Sequence, residues 1–462
     1  MPNKYGVSNI TMVKAPFDLT VTEAASTIAA GELTVVHLIK SCLERIDTLE
    51  DKIRAWALVD SEGALETAHQ LDHELHKGQR RGPLHGIPVG IKDIFYTAGL
   101  RTEAGSRSWS GFVPSYDATV VAHLKEAGAI VLGKTHTTEF AHQDAAPTRN
   151  PWNTNHTPGG SSSGSGAAVA ARMCPAAFGS QTGGSTLRPA AYNGIVGFKP
   201  QHGRISTHGV VPLSWTMDHV GIMTRTVEDS ALIFQAVAGY DSQDLYSLNE
   251  RVPDCLASLE GQQKPRLGLV RQHFFEHTNE EMQHHTEEIT ERLCQAGARV
   301  EEVVLPSSFA ELHEINRIIM SVESAAYHQK MFAKHKDQYR PKIRETIERG
   351  LAISATEYEK MLQVRLQQRA EVGSLLRQVD VLLTPGAPGT APKDLTTTGD
   401  PVIQRPWTTI GLPSISLPTG LGQNGLPLAI QLVGAPLAED RLLAIARWCE
   451  RTLDVHLRPP LD

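Results

Sequence analysis

No apolar run in the chain approaches the ~18–20 residues needed to cross a bilayer. The opening MPNKYGVSNITMVKAPFD also lacks the apolar core of a secretory signal. Cysteine is sparse: five residues, at 42, 174, 255, 294 and 449, never spaced as C-x-x-C. That pattern argues against a disulfide framework or a cysteine zinc site and points to reduced thiols in the cytoplasm. Cys174, followed by Pro175, has no activating neighbour in sequence and reads as packing rather than as a nucleophile. Basic charge is not concentrated either. The net charge is -7, and the one tight basic cluster, KGQRR at 77–81, reads as an exposed turn rather than a nucleic-acid footprint. Twenty histidines never form H-E-x-x-H, and QHHTEE at 283–288 lies in a polar helical pattern, so no metal site is expected.

What the chain does have is length and patterning: 462 residues, 40% of them hydrophobic, enough for a large core. Thr20 and Glu23 form a capping box before an apolar-periodic helix that stops at Gly31, and Thr34 caps a second helix running to about Asp47. Strand patterns follow at LHGIPVGIKDIF (84–95), GAIVLGKT (128–135), PAAFGSQT (175–182) and GIVGFKP (194–200), alternating with helical ones. A strongly helical stretch over 278–378, broken by GARVEEVVLP (297–306), reads as a layer or cap. Strand patterns return at 380–385, 414–418 and 428–434 before a terminal helix. The expectation is an α/β fold: a mixed central sheet with helices on both faces and a helical cap. The Pro/Gly/Thr-rich segment 384–401 is the one long loop, and such loops often edge a substrate cleft.

TPGGSSSGSGAAVAA, starting at Thr157, could be a linker, a phosphate cradle or part of a catalytic centre. It runs straight into a helix former between strand patterns, which disfavours a linker. It lacks both a P-loop lysine and a dinucleotide-binding acid. A second knot, GSQTGGSTLRPAA (179–191), sets Ser185 behind Gly183 and Gly184. Glycines there let backbone N–H groups approach a substrate oxygen, so Ser185 is a candidate nucleophile with its own oxyanion hole. No G-x-S-x-G elbow supplies a base. Lys92 closes the apolar strand HGIPVGIKD and is either a neutral base or half of a salt bridge with Asp93 or another carboxylate.

GPLHGIPVGIKDIF, GAIVLGKTHTTEFA, NPWNTNHTPGGSSSGSGAAVAA, GSQTGGSTLRPAAYNGIVGFKP, MDHVGIMTRTVEDSA and GLPSISLPTG…GLPLAIQLVG occur in that order, and together they resemble the amidase signature family over nearly the whole chain. The resemblance implies a Ser–cisSer–Lys triad: Ser185 as nucleophile, Ser161 as the bridging serine after a cis Gly160–Ser161 peptide, and Lys92 as base. It implies an oxyanion hole at Thr182, Gly183, Gly184 and Ser185, an acyl-enzyme and no cofactor. One amidase signature domain over 1–462 would comprise N-terminal helices (1–60), a catalytic core (61–240), the helical layer (278–378) and the returning strands (379–462). Two departures stand out. Gln181 replaces the family's common Asp, and Arg188 lies three residues after the nucleophile rather than two; both are expected to brace the loop.

The triad chemistry suits an amide, urea-like or carbamate C–N bond. Carbamates and aryl amides are options on the expectation of a roomy, apolar pocket, for which Phe140, Ala141, His142, Gln143, Trp215, the helix around Ile318–Met320 and the 384–401 loop are candidate walls. The expected partner is a small-molecule amide or carbamate, with no nucleic acid and no membrane, and a homodimer is compatible. An alternative is the amidase subunit of a tRNA-dependent amidotransferase; against it stand the missing DTGGSIRQPA motif and the lack of an appended basic region. A non-catalytic scaffold is a third option, opposed by the presence of Lys92, Ser161 and Ser185.

Overall fold

In the computed structural model, which describes residues 14–261 and 264–461, the short apolar runs pair into an eleven-stranded sheet. Its strands are β1 (Trp56–Val59), β2 (Pro88–Lys92), β3 (Ile130–Thr135), β4 (Ala176–Gln181), β5 (Val196–Lys199) and β6 (His219–Thr224). They continue with β7 (Arg266–Leu269), β8 (Arg299–Glu302), β9 (Val381–Pro385), β10 (Ser414–Leu421) and β11 (Pro427–Gly434). The order across the sheet is β1-β3-β2-β4-β6-β5-β10-β11-β9-β7-β8. β2 runs parallel to both β3 and β4, whereas β6 is antiparallel to β4 and β5, so the sheet is mixed.

Every residue of β2, β4 and β11 is buried. Successive strand residues point to opposite faces, so burial of all of them means both faces are covered. Helix Ser163–Ala170 packs on β2 and β4, Leu187–Asn193 on β5 and β10, Val227–Val237 on β6, and Glu439–Leu453 on β10 and β11. β8, with its Arg299, Glu301 and Glu302 exposed, closes one edge of the sheet in charged side chains, which discourages further pairing. The helical stretch becomes Glu280–Gln295, Leu312–His335, Pro341–Ala352 and Ala355–Leu375, with β8 inside the break at 297–306.

The capping box at Thr20 and Glu23 is present. Thr34 accepts from the His37 N–H as a cap, but its helix runs on to Ile53 because Ile46, Leu49 and Ile53 keep the buried stripe going. β1, β6 and β7 have no counterpart among the expected strands. The reading of residues 1–18 as lacking a signal falls mostly on 1–13, outside the described residues. Among the described residues no helix is long and apolar enough to cross a membrane. Cys42, Cys174, Cys255 and Cys449 are buried free thiols, and burial pushes Cys174 up to about 12.

Candidate active site

Three neighbouring pieces of the sheet bring the predicted residues together. β2 ends in Lys92, β4 ends in Gln181 and leads into the 182–186 turn, and the serine–glycine run feeds helix Ser163–Ala170, which packs on both strands. Lys92 and Ser161 are fully buried, while Ser185 keeps 9% of its surface, enough for its hydroxyl to reach a cavity. Lys92 Nζ lies 2.7 Å from Ser161 Oγ and 2.8 Å from Ser180 Oγ. It makes no ion pair among the described residues: Asp93 faces Lys134 instead, at 3.9 Å. Burial drives the Lys92 ammonium well below the ordinary lysine value, only partly opposed by the field of Asp218. Of the two options for Lys92, the salt bridge to Asp93 is therefore absent.

The Gly160–Ser161 peptide is cis. Gly159 takes φ +80, and a Cβ there would lie 3.0 Å from the Pro189 backbone, so glycine is required for the turn to fit against helix Leu187–Asn193. The neighbouring serines are tied into the scaffold. Ser162 Oγ donates to Ser180 O (3.3 Å) and accepts from Ser180 N–H (3.2 Å). Ser163 Oγ donates to Gly159 O (2.7 Å), and Ser165 Oγ to Phe178 O (2.8 Å).

The turn around Ser185 is held by its carbonyls. Gly183 O accepts from Thr408 Oγ1 (2.6 Å), Gly184 O from Arg188 N–H (3.0 Å), and Ser185 O from Ser162 N–H (3.2 Å). The N–H groups of Gly183, Gly184 and Ser185 have no acceptor among the described residues. Unpaired backbone donors are rare in a folded interior, so three in a row beside a serine constitute a concentrated anion-stabilising feature. Thr182 is fixed at both ends: its Oγ1 donates to Asp218 (2.5 Å), and its carbonyl accepts from Asn316 Nδ2 (3.0 Å). Asp218 also accepts the N–H groups of Leu213 (2.8 Å) and Ser214 (3.0 Å), and burial raises its carboxyl to about 6.

The two departures from the family motif both make contacts that hold the loop. Gln181 Oε1 accepts from Thr186 N–H (2.8 Å) and Leu187 N–H (2.9 Å), while its Nε2 donates to Thr408 Oγ1 (2.9 Å). Arg188 Nη2 donates to Gly160 O (2.6 Å) and Thr398 Oγ1 (3.0 Å), joining the Ser185 turn to the cis peptide and to the 384–401 loop.

The cavity at Ser185 is about 30 Å³ and is lined by Ala141, His142 and Gln143, but not by Phe140 or Trp215. Phe140 is fully buried behind it, against His328 and Tyr339, and Trp215 is an exposed residue beside Tyr327. Asn316 and Met320, from helix Leu312–His335, and Pro401, the last residue of the 384–401 loop, complete its rim, whereas Ile318 does not reach it. The expectation of a roomy, apolar pocket is thus corrected: the space is narrow and carries Arg188, Arg405, Asn316 and His142. Sequence reasoning missed Ser180, Asp218 and Arg405. Ser180 carried one usable signal, a hydroxyl near the end of the otherwise apolar strand PAAFGSQT; Asp218 and Arg405 carried none.

A fold and a site of this kind define a hydrolase of carbon–nitrogen bonds other than peptide bonds. The chain belongs to the amidase family, whose model matches residues 37–443. It is 37% identical to a glutamyl-tRNA(Gln) amidotransferase subunit from Geobacter sp., over 96% of this chain and 99% of that protein. The protein of the same name from Myxococcus xanthus is also 37% identical, over 96% and 98%. Among solved structures, native peptide amidase from Stenotrophomonas maltophilia superposes with a TM-score of 0.86 at 30% identity, over 96% of this chain and 99% of that one. These relatives overturn the expected partners. A free small-molecule amide or carbamate with no nucleic acid does not agree with full-length relatives named as one subunit of a tRNA-directed amidotransferase.

Proposed function

We propose that this chain is the amidase subunit of a glutamyl-tRNA amidotransferase, releasing ammonia from an amide donor for transfer within an assembly. The observation that carries this reading is the end-to-end match to amidotransferase subunits at 37% identity, by a chain that retains the lysine–serine contact at its centre. In the proposed chemistry neutral Lys92 accepts the Ser161 proton, and Ser161 accepts that of Ser185 as its Oγ attacks the amide carbonyl. The free N–H groups at 183–185 receive the oxyanion, with Thr182 positioning the turn. The relay returns a proton to the leaving nitrogen, ammonia departs, and water hydrolyses the acyl-enzyme. Urea-like and carbamate carbonyls present the same electrophile, but the narrow, cationic cavity disfavours bulky aryl amides and apolar carbamates.

The test is reconstitution with the remaining subunits of a glutamyl-tRNA(Gln) amidotransferase. Expected results are conversion of glutamyl-tRNA(Gln) to glutaminyl-tRNA(Gln), amide hydrolysis stimulated by the charged tRNA, and loss of both in Ser185→Ala. Full-rate amide hydrolysis by the isolated chain, with no transfer in any reconstitution, would sink the amidotransferase role while leaving the hydrolase intact.

A further inference from the structure

A second cavity, of about 260 Å³, shares no residue with the one at Ser185. Lys14, Arg172, Arg225 and Arg458 line it against a single carboxylate, that of Asp18. Arg172 lies just past helix Ser163–Ala170, and Asn193 and Gly194 end helix Leu187–Asn193. Those two helices begin beside Ser161 and Ser185 and are about 10–12 Å long. The cavity therefore sits at their far ends, away from the amide chemistry.

The charges in its lining do not cancel. Lys14 pairs with Glu23 (2.6 Å), and Asp18 faces both Arg172 and Arg458, the latter at 2.9 Å. Arg225 donates to the carbonyls of Leu19, Asp18 (3.2 Å) and Cys174 (3.4 Å), which hold its guanidinium without neutralising it. Glu23 and Asp229 feel the field of Arg225, but they are bonded to Lys14 and to Thr22. With Lys14 set against Glu23 and one arginine against Asp18, two arginine charges in the lining are left over. Burial and the like charge of Arg225 hold the Arg172 guanidinium below its usual value in spite of Asp18. Arg172 also takes φ +61, a left-handed conformation that glycine ordinarily supplies after a helix. The chain thus accepts a poor backbone fit to place a guanidinium there, and no hydrogen bond among the described residues ties its Nη atoms.

Like charges drawn together and partly withdrawn from water are costly, and an anion that enters between them relieves that cost. Guanidinium matches phosphate oxygens in geometry as well as charge. A phosphomonoester carries close to two negative charges near neutral pH, which suits the surplus. Ile195, Val455 and Leu457 line another part of the cavity and give the body of such a molecule an apolar surface. We propose that this cavity binds a small phosphomonoester, its phosphate between Arg172, Arg225 and Arg458 and its apolar part against Ile195, Val455 and Leu457. The small volume favours a compact ligand over an RNA backbone, whose diesters carry one charge each.

The experiment titrates phenyl phosphate, inorganic phosphate and benzoate calorimetrically into the full chain, at a fixed ionic strength that keeps screening constant. Phenyl phosphate should bind at a single site, about 10-fold or more tightly than benzoate and severalfold more tightly than inorganic phosphate. Arg172→Gln and Arg458→Gln should each weaken it by about 10-fold or more, whereas Ser185→Ala should bind it as wild type does. The Arg458 side chain is 42% exposed, so Arg458→Gln judges the site should Arg172→Gln fail to fold. No binding of phenyl phosphate, equal affinity for the other two anions, or undiminished affinity in the arginine variants would overturn the proposal. Loss of binding in Ser185→Ala would move the anion to the cavity at Ser185 and overturn it too. A short RNA without terminal phosphates is titrated in parallel. If wild type binds that RNA but not phenyl phosphate, and both arginine variants lose it, the surface serves nucleic acid and the proposal falls.

Discussion

A lysine at the end of a strand whose five residues are all buried has few ways to be tolerated, and the sequence left two of them open. The structure puts two hydroxyls and no carboxylate around Lys92, which favours the uncharged amine. Such a group destabilises the fold, because the unfolded chain takes up a proton that the native site refuses. The sign follows from the depressed native value: the penalty begins below the ordinary lysine range and grows as pH falls toward that value. Lys92→Met is therefore expected to melt at a higher temperature than wild type, by a margin that widens on acidification, while turnover falls by about 10³-fold or more. Wild-type kcat/KM should in turn fall as pH drops through the Lys92 value, and the residual activity of Lys92→Met should lack that limb. Equal melting curves across pH would mean that Lys92 is charged in the native state. The residues of this cluster that repeat a family motif, Lys92, Ser161 and Ser185, were legible in the sequence. Asp218 and Arg405 were not, because their roles come from loops that only the folded chain brings beside 182–185.

At the scale of elements, long periodic segments were legible and short strands were not. β10, β11 and the terminal helix fall within a few residues of their patterns. β6, all six residues buried, and four-residue β7 show no alternation to set them apart from a buried loop. The Ser185 turn depends on one such detail, the side chain that ends β4. Gln181 Oε1 is the acceptor for two buried backbone N–H groups, those of Thr186 and Leu187, where the commoner motif uses an aspartate. Truncating it strands both donors, at about 1–3 kcal/mol each. Gln181→Ala should thus lose about 2–4 kcal/mol in a denaturant titration and label more slowly at Ser185. A variant of unchanged midpoint would show that the turn is held by Asp218 and Thr408 alone.

Across the whole molecule the sequence announced a helical layer but not how it engages the site, and the sheet order, which leaves β4 for antiparallel β6, has no local signature. The engagement runs through Glu323 on helix Leu312–His335. Its buried carboxylate accepts from Ser214 Oγ (2.6 Å), Thr216 N–H (3.1 Å) and Thr216 Oγ1 (2.8 Å), and from Tyr358 OH (2.7 Å) on helix Ala355–Leu375. Ser214 and Leu213 donate their N–H groups to Asp218, which holds Thr182, and Asn316 on the same helix holds the Thr182 carbonyl. The layer and the Ser185 turn are therefore joined by one hydrogen-bonded chain with Glu323 as its outer anchor. Glu323→Ala leaves several donors without their acceptor and should cost about 3 kcal/mol. If the chain transmits order to Thr182, the variant should also lose about 10-fold in kcat, with little change in KM, because the turn is looser but the cavity walls remain. Lys336→Ala removes an exposed pair with Glu348 and a cation–π contact over Phe332 on the same layer, and should stay within about 1 kcal/mol of wild type in stability, with unchanged kcat. Destabilisation of Glu323→Ala with undiminished kcat at temperatures where it is folded would confine Glu323 to packing and leave the layer a passive cover.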